Sequence, residues 1–186
     1  MKGIKKMFES IAVLWGMAML FSCNNNIKEV NEFLSASSLP LLSGDSLELV
    51  YSDSAKVRYI LRTPEYFKYK KEREEYDEFP SGLYAESFNP NGELVGTISC
   101  KYAKKNEEDR IWTLKDQVVV RNPDGKKLET ELLFWDMEKA SIYSDRYVRL
   151  TDKGQVIEGN GFESDQDIHN PKFKNISGTL EIEMRE

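Results

Sequence analysis

Side chains that do covalent or metal chemistry are scarce in this sequence. His169 is the only histidine, and it follows Asp165 and Asp167 in a polar stretch that reads as a loop. A histidine-based zinc site or a cysteine–histidine nucleophile pair therefore lacks its parts. The sequence contains no glycine-rich phosphate loop and no G-x-S-x-G elbow. Carboxylates are plentiful, 32 Asp and Glu against 26 Lys and Arg, so a carboxylate pair is the catalytic device that composition leaves open. Most of them alternate with apolar residues, where a solvated strand face is the ordinary explanation. The expectation is a protein without catalytic residues, metal or cofactor.

One residue is placed for covalent modification. The chain starts MKGIKKMFESIAVLWGMAMLFSC, with Lys2, Lys5 and Lys6 ahead of an apolar run, 11–21, that is short for a bilayer span. Leu20-Phe21-Ser22-Cys23 has the layout of a lipobox, in which the cysteine becomes the first mature residue and carries lipid. Phe21 is bulkier than the small residue usual there. A secretory signal with a chance cysteine and an uncleaved amino-terminal helix are the alternatives. The expected organisation is a lipoprotein signal over 1–22, a lipidated terminus and tether over 23–44, and a single domain over 45–186. The tether is rich in Asn and Ser and ends near Pro40 and Gly44. With Cys23 lipidated, only Cys100 is left, so packing rather than a disulfide must hold the fold. Cys100 shares strand spacing with Ile98 and Tyr102 and reads as a small buried hydrophobe.

The formal charge is −6, and loss of Lys2, Lys5, Lys6 and Glu9 with the signal makes the mature chain more acidic still. Such a chain is a poor partner for nucleic-acid phosphates. Positive charge clusters at Lys68, Lys70, Lys71 and Arg73, but Glu72, Glu74 and Glu75 dilute it to a solvated run.

The elements around these residues read as strands. Val57, Tyr59, Leu61 and Thr63 share one face, with Lys56, Arg58 and Arg62 on the other. Leu94, Ile98, Cys100 and Tyr102 do likewise, then Leu128, Thr130, Leu132 and Phe134, and finally Leu180, Ile182 and Met184. A period of two over many short segments means half-buried antiparallel strands. Asn89-Pro90-Asn91-Gly92, Asn122-Pro123-Asp124-Gly125 and Asp152-Lys153-Gly154 supply the positive φ of tight hairpins. The segment 65–79 is a helical candidate charged nearly all round, with little to bury; a strand followed by a solvated loop is equally compatible.

The stretch 114–165 carries a more specific pattern. Asn122-Pro123-Asp124-Gly125 is followed by Leu128-Glu129-Thr130-Glu131-x-Leu133-x-Trp135-Asp136, Ile142-Tyr143-Ser144-Asp145, Val148 and Gly159-x-Gly161-Phe162. This resembles LptC, the periplasmic subunit of the lipopolysaccharide export system, and more loosely so from about 45 to 184. The related bridge protein LptA shares the repeat. The resemblance implies an all-β fold: an elongated, twisted, open β-jellyroll of antiparallel strands built from strand-turn-strand units. It implies a lipopolysaccharide carrier that accepts lipid A acyl chains from an inner-membrane ABC transporter and passes them to an LptA-like jellyroll. The expected lipid-facing residues are Tyr59, Leu61, Ile98, Leu128, Leu132, Phe134, Val148, Leu150, Ile157 and Phe162. Leu180, Ile182 and Met184 form the expected partner edge strand. Cys23 would hold the protein on the periplasmic side of a membrane, the inner one being favoured by the transporter. Asn24 differs from the Asp type of retention residue. The rivals are an LptA-type bridge and a structural or glycan-binding envelope lipoprotein without lipid cargo. The last would fill its core completely and show surface aromatics, whereas Trp112 and Trp135 read as core.

Overall fold

The computed structural model describes residues 39–71, 74–108 and 110–177. Cys23, the 1–22 signal, the partner-edge residues Leu180, Ile182 and Met184, and most of the tether lie outside them. Among the described residues eleven strands form one sheet: β1 (Leu42–Asp53), β2 (Lys56–Lys71), β3 (Glu74–Phe79), β4 (Leu83–Phe88), β5 (Leu94–Cys100), β6 (Tyr102–Asn106), β7 (Ile111–Arg121), β8 (Lys127–Asp136), β9 (Ser141–Asp152), β10 (Gln155–Asp165) and β11 (Lys172–Ile176). The fold is the all-β, jellyroll-like antiparallel one. β1 includes residues 42–44, which the sequence reading assigns to the tether. The 65–79 segment is not a helix: β2 runs through 71, and β3 pairs back on it with Tyr69 opposite Tyr76. Cross-strand partners satisfy its backbone, so the charged side chains need no helical face.

The hairpin turns form where the sequence supplies left-handed residues. Gly125, at φ 89°, donates its N–H to the Asn122 carbonyl oxygen at 3.2 Å, and Gly92, at φ 84°, repeats the geometry with Asn89 at 2.9 Å. A Cβ at either glycine would meet open space, so the backbone angle alone demands glycine.

The long strands do not run straight. Each bends near its middle, and the bends align across the sheet. β2 bends at 63–66 opposite the 80–82 turn, and Lys101 breaks the β5–β6 run. Asp116 and Gln117 adopt φ 63° and 53° in β7, the β8–β9 register shifts between Thr130 and Phe134, and Gly161 takes φ 75° in β10. A bulge leaves ladder groups unpaired, and inner-face hydroxyls take them up. The Thr130 hydroxyl lies 2.7 Å from the Tyr147 carbonyl oxygen, Thr63 2.9 Å from that of Gly82, and Ser144 2.7 Å from that of Leu132. All three are buried. The sheet folds over along this line into two leaves that face each other. In one leaf the inner residues are mostly aliphatic; in the other, rings fill the centre among aliphatic, hydroxyl and charged residues.

The bends correct the assumed alternation. Leu128 and Thr130 face inward, but the extra residue in β8 brings Leu133 and Trp135 inward next. Leu132 and Phe134, expected on the inner face, therefore lie on the outer one, partly exposed; Phe134 stacks on Tyr143 with ring centroids 5.0 Å apart. Tyr102 is displaced in the same way by the break at Lys101, and its hydroxyl lies 2.7 Å from a Glu78 carboxylate oxygen.

Candidate functional site

The space between the leaves is the candidate site. Its aliphatic wall follows from register. Leu49 pairs with Leu61, Leu61 with Ala85, Ala85 with Ile98, Ile98 with Val120, Val120 with Leu128, Leu128 with Leu150 and Leu150 with Ile157. One row of apolar side chains thus crosses the sheet from β1 to β10, perpendicular to the strands. β-Strand geometry makes such a row possible because residues in register sit about 5 Å apart on the same face.

The facing wall is built of rings. The Tyr66–Phe79, Phe79–Trp112 and Trp112–Trp135 centroids lie 5.4, 5.2 and 5.8 Å apart. Tyr59, from the aliphatic leaf, closes edge-on against Trp135 at 5.3 Å. Between the walls the interior is filled by its own side chains: Leu61, Trp112, Leu114, Leu128 and Val148 are all 0% exposed. Burial on this scale stabilises by about 1.5–3 kcal/mol per large aliphatic side chain.

Of the residues expected to face lipid, Tyr59, Leu61, Ile98, Leu128, Val148, Leu150 and Phe162 lie in this interior. Ile157 ends the aliphatic row, partly exposed. Leu132 and Phe134 are outside it. The sequence reading missed Leu133, Val120 and Leu114 as lining, although Leu128-x-Thr130-x-x-Leu133-x-Trp135 spells the shifted phase. It also gave no role to Gln166 and Ile168, which are buried in the β10–β11 connection.

Electrostatics divides the interior unequally. In the aliphatic leaf, burial pushes the Cys100 thiol up to about 12, so it stays a neutral hydrophobe. Burial also raises the Tyr59 hydroxyl, partly offset by its hydrogen bond to the Gln166 side-chain oxygen at 3.1 Å. The β2–β3–β6 end of the aromatic leaf is charged. Tyr66 donates its hydroxyl to Asp77 at 2.9 Å, while Lys68 meets Glu75 at 3.1 Å and Lys105 meets Glu107 at 3.0 Å. Desolvation raises Asp77 against the opposing pull of Tyr66, Lys68 and Lys105. The site offers apolar surface, ring faces and a polar border; none of its inner residues is arranged as a nucleophile with a base.

The outer face of the aromatic leaf carries more rings. Tyr69 and Tyr76 stack with centroids 5.0 Å apart, and the Lys104 ammonium sits 3.8 Å over the Tyr76 ring.

Two comparisons with known proteins bear on this arrangement. Residues 82–175, spanning β4 to β11 apart from the last residue of β11, match the sequence model of a family described as Lipopolysaccharide-assembly, LptC-related. A search of curated proteins returned no match.

Proposed function

The chain belongs to the LptC-related family of lipopolysaccharide assembly, and from that premise we propose that it is a carrier that shields lipid A acyl chains between the two leaves of its sheet. It takes them from the inner-membrane ABC transporter and passes them to an LptA-like jellyroll, without catalysing a reaction. The observation that carries this reading is the unbroken apolar row from Leu49 to Ile157. Water imposes about 0.8 kcal/mol per exposed CH₂, so a chain of about a dozen carbons costs about 10 kcal/mol in the open. A row of aliphatic side chains crossing the strands removes that cost along a continuous line. Nothing in the row supplies energy, which the transporter must provide.

The test is photo-crosslinking in cells with probes on opposite faces. Probes at Leu61, Leu128 and Val148 capture lipopolysaccharide; probes at Glu129, Leu132 and Phe134 do not. Equal labelling of the two sets refutes an interior path.

Anchoring and hand-off complete the reading. Cys23 carries the acyl anchor and holds the domain on the periplasmic side of the inner membrane; two or more chains suffice for stable attachment. Radiolabelled palmitate enters the wild type and is missing from Cys23→Ala. The segment holding Leu180, Ile182 and Met184 receives the next jellyroll by backbone pairing. Glu183→Pro removes a backbone donor there, so the variant folds and binds the transporter but no longer retains the bridge protein in a pull-down.

A second reading is favoured by specific observations. The interior is filled and the outer face carries aromatic rows, as expected of a structural or glycan-binding module. Against sugar stacking, the Tyr76 ring is covered by Tyr69 on one side and Lys104 on the other. Native mass spectrometry of envelope-purified protein separates the readings: bound lipopolysaccharide marks a carrier.

A further inference from the structure

A carrier whose interior is already full must open, and one segment holds the leaves together at the mouth opposite the bend. Residues 166–170 leave the end of β10, on the aromatic leaf, and cross to the 122–126 turn, on the aliphatic leaf. Each step of the crossing is pinned. The Gln166 N–H donates to the Ala140 carbonyl oxygen at 2.9 Å. The Gln166 side-chain oxygen accepts from the Tyr59 hydroxyl at 3.1 Å and from the Trp135 indole N–H at 3.3 Å, joining one residue from each leaf. The Asn122 amide donates to the Asp167 carbonyl oxygen, and the Lys126 ammonium donates to that of Ile168, both at 3.0 Å. His169 lies 3.6 Å from Asp124 at the surface. Ile168 is completely buried, so the crossing inserts an apolar plug into the core.

The same segment carries local conflicts. Ile168 adopts φ 56°, a left-handed conformation that a β-branched residue enters only under strain. One carboxylate oxygen of Asp167 is buried without a hydrogen-bond partner. Backbone strain and an unsatisfied buried oxygen each lower the free energy needed to open a segment locally. Here strong contacts to both leaves are set against backbone strain and a buried carboxylate oxygen without a hydrogen bond.

We propose that residues 166–170 are a releasable strap: acyl chains enter between the leaves when Ile168 withdraws and Gln166 lets go of Tyr59 and Trp135. The proposal rests on the lipid-carrier reading. The chain vacates for the lipid a slot of matching chemistry, an aliphatic side chain for an acyl segment. Opening needs no break in the sheet ladders of β2, β5, β7, β8 and β9, since the strap's hold on the far leaf is made by side chains.

The experiment locks the strap at its exposed end. Asp124→Cys and His169→Cys are introduced together in a full chain with Cys23→Ser, and joined with a short reductively cleavable bis-maleimide. A photo-crosslinking probe at Leu128 reads lipopolysaccharide capture from lipopolysaccharide micelles. Capture falls at least tenfold on locking and returns, when the linker is cleaved, to the level of the unjoined double variant. In a second arm, Lys126→Met loosens the strap without touching the core and raises capture at least twofold. If the locked and unlocked proteins capture equally, the strap is not a gate and the carrier reading survives. If the unlocked parent captures no lipopolysaccharide at Leu128, the carrier reading fails and the strap's role in it falls too.

Discussion

The two leaves meet in one core but are built on different rows. In the aliphatic leaf the row Leu61, Ala85, Ile98, Val120, Leu128, Leu150 is apolar across every strand it crosses. In the aromatic leaf the corresponding row reads Lys68, Asp77, Lys105, Trp112, Trp135, Ile142, Ser164. Rings fill its centre, and it begins in charge. Rigid rings in contact define the spacing of the leaves, because flat side chains with few rotatable bonds leave little room to adjust. Branched aliphatics with small neighbours such as Ala85 give a wall that can repack around a foreign chain. Under the proposed carrier function, the difference gives structure to one leaf and cargo contact to the other.

The largest expected effect comes from removing the ring that touches both leaves. Trp135→Ala costs about 3–5 kcal/mol by cavity formation and unpins Gln166. Its denaturant midpoint should fall further than that of any single aliphatic substitution. Leu128→Ala, from the opposite wall, costs about 2–5 kcal/mol and, in the fraction that folds, lowers lipid capture. An aliphatic variant with unchanged capture would break the division of labour. At the bend between leaves, Thr130→Val costs about 1–3 kcal/mol, because the Tyr147 carbonyl oxygen loses its hydroxyl partner, while that of Leu132 keeps Ser144. The two tryptophans provide a finer contrast. The Trp135 indole donates to Gln166, whereas the Trp112 indole N–H is buried without a partner. Trp135→Phe should therefore be the costlier change by about 1 kcal/mol, read as a difference in urea midpoints. The smallest effect concerns Cys100. Its thiol ionises at about 12 in the fold against 9.0 ordinarily, so the folded state keeps its proton longer than the unfolded chain. The contribution to stability is full below pH 9 and is lost as pH rises toward 12. At pH 8, iodoacetamide should alkylate the thiol much more slowly in the folded protein than in urea.

Much of the fold was readable from local chemistry. Strand character at Leu61, Ile98, Leu128 and Val148 follows from period-two alternation, and the turns at Gly92 and Gly125 from residues that tolerate positive φ. The seven inner residues expected at the site lie inside because their strands hold an even phase on the near side of the bend or, for Phe162, are locked by a neighbouring glycine. Leu132, Phe134 and Tyr102 were misplaced because alternation was carried straight through a bulge. A single extra residue inverts every side chain beyond it.

Local sequence settles that the chain is antiparallel β, where the hairpins at Gly92, Gly125 and Gly154 turn, and, up to the bends, which apolar residues face inward. These properties are set by steric limits on φ and ψ and by the two-residue period, which act within a few residues. The tertiary arrangement alone fixes that the long strands bend, that the bends align, and that an aliphatic row faces a wall of rings and charge. It also decided that Gln166 and Ile168 close the mouth. Those outcomes depend on contacts between residues far apart in the chain, such as Tyr59 with Gln166 and Asn122 with Asp167. No local preference encodes them, because the energy that selects them exists only once both leaves are in place.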